Sequence, residues 1–169
     1  MLEYLTKWRG GGAQRPAHAG AAAILLAGLG GFVAIGTLAV LTTRFDVLLL
    51  LGSFGASCVL LFGYPDAPFA QPANVIGGHL ISTLIGLAAL HICGVHPWSL
   101  GLAVGGAVMA MMATRTVHPP AGSNPVIVFL SQPGWSFVFF PVLTGAVVLV
   151  LIALVYNNAV RKHRYPAYW

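Results

Sequence analysis

The densest chemistry in this chain lies in Arg115-Thr116-Val117-His118-Pro119-Pro120-Ala121-Gly122-Ser123-Asn124-Pro125, a guanidinium, an imidazole, hydroxyls and an amide set among three prolines. About forty uncharged, mostly apolar residues flank it on each side. An Arg at mid-bilayer costs about 2.5 to 3.5 kcal/mol, and prolines remove backbone donors that lipid cannot replace. A segment this expensive must be compensated by other parts of the chain, and the chemistry it suits is recognition of a small anion.

Arg115 has a counterpart in Arg44, and each stands just ahead of a short apolar segment that begins with small residues and hydroxyls. Gly52-Ser53-Phe54-Gly55-Ala56-Ser57 opens one and Ala121-Gly122-Ser123-Asn124 the other. Helix N-termini expose unpaired N–H groups and the positive end of the helix dipole, and glycine lets a ligand approach the backbone. An Arg at 4 Å in an effective dielectric near 20 contributes about 4 kcal/mol, against about 0.3 to 2 kcal/mol from a helix terminus. The expected anion site therefore combines Arg44 and Arg115 with Ser53, Ser57, Gly122, Ser123 and Asn124. The bland alternatives stay open: each Arg snorkels to headgroups, and Gly55 and Ser57 serve close helix packing.

His79, His91 and His118 fall at or within apolar segments. Histidine titrates near neutrality, so one beside an anion path could carry a proton with the solute or gate it by pH. Packing is the simpler reading of His91. No pair of these histidines has i,i+4 ligand spacing, which predicts no metal site, and no cofactor is expected. Asp46 and Asp66 are too few for paired-carboxylate chemistry, and no Ser, His and Asp spacing suggests a hydrolase, so the chain reads as a non-enzyme.

The elements that must position these groups are membrane spans. Of 169 residues 58% are hydrophobic and 7% charged, with mean hydropathy +0.87, which a soluble domain does not reach. Between Pro16 and Val160 only Arg44, Asp46, Asp66 and Arg115 carry full charge. Lys7, Arg9 and Arg15 at one end and Arg161, Lys162 and Arg164 at the other read as topology signals rather than a nucleic-acid surface. They place tails 1–16 and 160–169 in the cytoplasm and make the number of crossings even. Cys58 and Cys93 read as small apolar residues, and no cleavable signal is evident. A bacterial plasma membrane is the expected location.

Six apolar segments lie between breakers: Ala21 to Leu41, Val47 to Phe62, Val75 to Cys93, Trp98 to Ala113, Ala121 to Leu130 and Trp135 to Tyr156. The second and fifth are short for about 30 Å of hydrocarbon. The chain also repeats itself at offsets of 67 to 71 residues: Thr43-Arg44 with Thr114-Arg115, Gly52-Ser53 with Gly122-Ser123, Pro65 with Pro133, Pro72 with Pro141 and Gly78 with Gly145. Three segments per repeat is odd, so the halves, about 20–94 and 97–158, would enter the membrane in opposite senses. Inverted repeats of this kind place their site near the midplane, between paired short or interrupted helices.

Two stretches carry a family resemblance. His118-Pro119-Pro120-Ala121-Gly122 after Thr114-Arg115-Thr116 resembles the signature that names the HPP family of membrane proteins. Phe54-Gly55-Ala56-Ser57 through Leu61-Phe62-Gly63, with Gln71-Pro72-Ala73-Asn74-Val75-Ile76-Gly77-Gly78-His79, resembles its other hallmark stretch. The resemblance implies a transporter, since plant members are associated with nitrite import across the chloroplast envelope, and it adds Asn74 to the candidate site. Family descriptions count fewer spans than six, which re-entrant short segments would reconcile.

The expectation is thus an all-α integral membrane protein of one HPP-type domain, about six segments in two inverted three-segment repeats, with segments 2 and 5 short or interrupted. Its function reads as a small-anion transporter or channel, nitrite first among candidates, with a proton link open. The competing reading is a membrane sensor or assembly scaffold without transport. Gly101, Gly105 and Gly106 permit close helix contact and predict self-association into a homo-oligomer. The expected partners are the bilayer and a small inorganic anion, with no nucleic acid.

Overall fold

The computed structural model describes Tyr4, residues 7–9 and residues 11–169, so part of the expected tail 1–16 lies outside the described residues. All regular structure among them is helical: α1 (Ala21–Phe45), α2 (Gly52–Cys58), α3 (Pro72–Cys93), α4 (Pro97–Ala113), α5 (Asn124–Ser131) and α6 (Thr144–Val160). A wide helical turn, Val59–Gly63, extends α2, and tight turns at Pro119–Ser123 and Trp135–Val138 lead into α5 and α6. Three stretches are long and apolar enough to cross a membrane: Ala21–Phe45, Pro72–Cys93 and Trp135–Val160, of 25, 22 and 26 residues.

The outer surface is apolar, as lipid requires. On α1 only Gly30, Ala34 and Leu38 are buried, a single i,i+4 stripe, while Leu25, Leu29, Phe32, Val33 and Val40 face outward. A water-soluble monomer does not present so large a continuous apolar surface. α3 is the helix around which the others gather, packing on α4, α5, α6 and the Pro119–Ser123 turn. Its buried face is unusual in being polar, with Asn74, His79, Ser82 and Thr83 alongside Gly78 and Gly86.

One end of the bundle is fixed by the C-terminal residues. Ala23 and Leu26 of α1 line one cavity with Tyr64, Asp66, Val160 and Arg161, so α1 begins and α6 ends at the same face. Within the stretch 160–169, expected as a cytoplasmic tail, residues 161–169 fold back across the turn between α2 and α3. Arg161 pairs with Asp66 at 2.5 Å, Tyr165 donates its hydroxyl to Ala70 O at 2.8 Å, and Tyr168 donates to Asn74 Oδ1 at 2.9 Å. Gln71 joins the two layers, accepting from Ala167 N at 2.8 Å and donating to Pro65 O at 2.9 Å. Burial pushes the Tyr165 phenol pKa upward, which keeps it a donor.

Segment boundaries differ from the sequence reading where apolar residues are not helical. Val47 to Leu51 are not helical, and α2 begins only at Gly52. The fifth segment starts with the Pro119–Ser123 turn, because consecutive prolines supply no N–H to a helical ladder, and α5 begins at Asn124.

Two glycines set how closely these irregular leads approach the long helices. A Cβ on Gly78 of α3 would meet His118 Cβ at 2.7 Å and Thr116 O at 2.9 Å. A Cβ on Gly145 of α6 would run into the Phe54 ring and lie 3.1 Å from Leu49 O. Gly78→Ala should therefore cost about 1 to 3 kcal/mol, because backbone cannot move aside as a flexible side chain can. Gly105→Ala, which meets nothing within 4 Å, is the matched control. Thermal unfolding in detergent should show a lower midpoint for Gly78→Ala alone; equal midpoints would contradict this packing.

Candidate functional site

The site is built where α2, α3 and the lead into α5 meet. Ser53 and Ser57 stand one turn apart on α2, both buried. His79 projects from α3 and is fully buried. His118 precedes Pro119, which disfavours helical backbone for it, and it adopts φ −133°, ψ 99°. The turn that follows then brings Asn124 to the start of α5, also fully buried. The HPP sequence thus delivers His118 and Asn124 to His79 from two sides.

Ser57 is the hub. Its Oγ lies 2.8 Å from His118 Nε2, 3.0 Å from His79 Nε2 and 3.0 Å from Ser53 O. The hydrogen-bond roles follow from the ends of the network. Phe69 O lies 2.7 Å from His118 Nδ1 and can only accept, so His118 carries its proton on Nδ1 and offers an Nε2 lone pair to the Ser57 hydroxyl. At the other end the Asn124 amide lies 3.1 Å from His79 Nδ1 and donates, so His79 carries its proton on Nε2 and donates to Ser57 Oγ. The donors of the neutral network therefore point one way, from Asn124 through His79, Ser57 and His118 to Phe69 O. The His79 and His118 rings are 5.0 Å apart, and the Phe54 ring covers His79 edge-on at 5.1 Å.

The polar face of α3 also satisfies the irregular backbone beside it. Asn74 Nδ2 donates to Val117 O at 3.0 Å and Arg115 O at 3.3 Å, and Ser82 Oγ donates to Ala121 O at 2.6 Å. The Asn124 amide reaches Thr83 Oγ1 at 2.9 Å and His79 O at 3.3 Å as well as the imidazole, giving two hydrogens three acceptors. Two buried polar atoms of the cluster have no partner: Ser53 Oγ and Asn124 Oδ1. An orphaned donor and an orphaned acceptor in such a place suit a small ligand or water.

Of the residues expected from sequence, the structure brings Ser57, His79, His118 and Asn124 together, places Ser53 beside them, and uses Asn74 to hold the Arg115 and Val117 carbonyls. It does not bring Arg44 or Arg115 into the cluster. Both are exposed, Arg44 in the last turn of α1 and Arg115 in a left-handed turn (φ 60°) after α4. Gly122 is half-buried and Ser123 exposed, its Oγ donating to Pro120 O at 2.8 Å. His91 bonds Leu87 O at 2.8 Å and stacks on Trp135 at 5.2 Å, away from the hub. Ser82, Thr83 and the Phe69 carbonyl were not anticipated. The i, i+3, i+4 spacing of His79, Ser82 and Thr83 in an apolar helix was a readable signal for the first two; nothing in the sequence marks a particular carbonyl.

Comparison with known proteins places this architecture. The family model described as HPP, transmembrane region, matches residues 16–166, and the chain belongs to that family. Two transmembrane proteins of Dictyostelium discoideum are each 36% identical to it over the whole of the chain. The chain spans 58% and 64% of their lengths. No solved structure matches it. It is a membrane protein of multi-pass type, and its central polar cluster lies within the matched region.

The deduced tautomers are directly observable. In protein labelled with ¹⁵N-histidine and held at neutral pH, His118 should give the Nδ1–H pattern and His79 the Nε2–H pattern. Ser57→Ala should alter both Nε2 resonances together. Identical tautomers for the two rings would break the directional network.

Proposed function

We propose that this protein is a proton-linked transporter of small anions, with nitrite as its substrate, operating in a bacterial plasma membrane with both termini in the cytoplasm. The observation that carries the reading is the buried cluster of Ser57, His79, His118 and Asn124, with Ser53 Oγ and Asn124 Oδ1 unpartnered beside it. Buried polar side chains in a membrane protein are expensive and are kept where a solute passes. The family resemblance to nitrite importers supplies the choice of anion.

The arrangement of the chain supports an inverted repeat. Gly78 of α3 faces the lead into α5 through Thr116 O, and Gly145 of α6 faces the lead into α2 through Leu49 O. These glycines are 67 residues apart, within the offsets of the repeat. Each half thus seats the irregular lead of the other against its own last helix. With α1 starting and α6 ending at one face, the two short helices with their leads complete six crossings on this reading.

The cluster contains no permanent charge, which assigns Arg44 and Arg115 a different part from the one their sequence positions suggested. Exposed at span ends, they raise the local anion concentration and are screened by salt. A bare anion entering the cluster would lack a countercharge, so protonation of a histidine accompanies it.

Purified protein in liposomes should take up nitrite down its gradient faster than empty liposomes. Asn124→Ala should lower that rate by about tenfold or more, the effect of removing a hydrogen bond at the point of passage. Arg115→Ala should lower it only a few-fold, about the worth of an exposed charge, with the difference shrinking at high salt. Folded wild-type protein that moves no nitrite, formate, nitrate or bicarbonate would end the transport reading and favour a sensor or scaffold.

A further inference from the structure

We infer that the Asn124–His79–Ser57–His118–Phe69 chain is a proton relay linking the middle of the membrane to the face covered by the C-terminal residues, and that the Ser57 hydroxyl is its switch. The inference deepens the transport reading, since it names the route of the coupled proton. It rests on connectivity: four side chains and one carbonyl joined by contacts of 2.7 to 3.1 Å without a gap. It also rests on depth. Thr83, which holds Asn124, is the twelfth of the 22 residues of α3, and Phe69 lies in the turn before that helix begins. At about 1.5 Å per residue the chain covers close to half the membrane.

The transfer balances proton by proton. An excess proton, delivered by hydronium or by a protonated oxyacid at the Asn124 end, forms an N–H bond at His79 Nδ1. The Asn124 amide yields that position because Thr83 Oγ1 and His79 O remain as acceptors. His79 then gives its Nε2 proton to Ser57 Oγ, Ser57 gives its own hydroxyl proton to His118 Nε2, and His118 releases its Nδ1 proton to water reaching the Phe69 carbonyl. One proton enters, one leaves, and every group ends neutral. His118 Nδ1 then presents a lone pair to Phe69 O, an unfavourable pairing; before the next transfer each imidazole gives up the proton on one nitrogen and regains one on the other by exchange with water, a reset that moves no net proton across the chain.

Ser53 O makes Ser57 a switch rather than a passive link. With the hydroxyl turned to His118 the path is continuous; turned to Ser53 O, at 3.0 Å, the hydroxyl keeps a hydrogen bond but neutral His118 Nε2 loses its donor and the path is interrupted. When His118 is doubly protonated its Nε2–H donates to Ser57 Oγ, and the hydroxyl must take Ser53 O. All three contacts of Ser57 are then satisfied at once, two accepted and one donated.

The surroundings leave the relay to these groups. From α2 the hub faces Ser53, with Cys58 turned toward Gly31 of α1. α3 offers Ser82 and Thr83, and α5 offers Asn124. On α6, the nearest atoms to a Cβ built on Gly145 belong to the Phe54 ring and Leu49 O. Tyr165 donates to Ala70 O at the end of the Pro68–Ala70 turn. No Asp, Glu, Lys or Arg is buried among the described residues, so no fixed charge competes for the proton.

The test uses the whole chain in liposomes carrying an internal pH dye, under an inside-negative potassium diffusion potential, with and without nitrite. Wild type should move protons, Ser57→Ala should slow them by about tenfold or more, and Ser57→Thr, which keeps the hydroxyl, should restore most of the rate. Proton movement unchanged in Ser57→Ala overturns the relay, as does failure of Ser57→Thr to restore it in monodisperse, folded protein. Nitrite uptake measured in the same vesicles separates the two proposals. Nitrite uptake without protons in wild type ends the relay alone, whereas proton movement sensitive to Ser57 without nitrite uptake upholds the relay and ends the choice of anion.

Discussion

The structure depends on one constraint: the carbonyls of the irregular stretch packed against α3 must find donors within the protein. Prolines 119, 120 and 125 prevent residues 116–125 from forming a continuous helix, and no lipid group can replace the missing ladder. α3 meets the demand from a single face, through Asn74 to Arg115 O and Val117 O, and Ser82 to Ala121 O. Each such carbonyl left bare would cost about 1 to 3 kcal/mol. Gly78 follows from the same demand, because the donors reach the carbonyls only if the two backbones nearly touch.

The same contacts that hold the backbone also fix the chemistry. Because α3 approaches so closely, His79 and His118 share one hydroxyl, and Phe69 O decides which nitrogen of His118 holds the proton. The cluster is neutral for a physical reason. Burying a guanidinium without a carboxylate would cost several kcal/mol, about the scale of a whole domain's net stability, and Arg44 and Arg115 stand exposed at helix ends instead. Neutral groups that exchange protons give the site charge on demand, which a fixed Arg cannot.

Much of the fold was readable in the sequence, and the reasons for the failures are specific. Lipid-facing helices announce themselves by hydropathy, so the bounds of α1, α3 and α4 lie within a few residues of expectation. Val47 to Leu51 misled because apolar composition carries no information on backbone conformation; there Leu49 N bonds Thr42 Oγ1 and Leu49 O closes on Gly145. His79, His118, Ser57 and Asn124 were legible as polar residues out of place, yet their convergence joins positions 22 to 61 residues apart and no local period encodes it. The arginines misled for a different reason. Their positions fit the expected repeat, but exposure is set by where each helix ends, and the ends of α1 and α4 carry theirs out to the surface.

The two glycine contacts are alike in geometry and unlike in chemistry, and that difference gives the molecule a direction. Gly78 lies on the polar face of α3 against His118, whereas Gly145 lies against Phe54 on α6 beside the buried Ala146, Leu149 and Val150. Phe54, seated on Gly145 and edge-on to His79, closes the hub toward the Arg44 end with an apolar ring. Toward the other end the network continues to Phe69 O, in the turn that Tyr165 and Tyr168 tie down. The hub is thus sealed on one side by packing and on the other by hydrogen bonds. Packing yields only when helices separate, while hydrogen-bonded groups can exchange partners in place. On the proposed transport reading, movement of solute past Phe54 therefore requires the two halves to shift, and movement of the proton toward Phe69 does not.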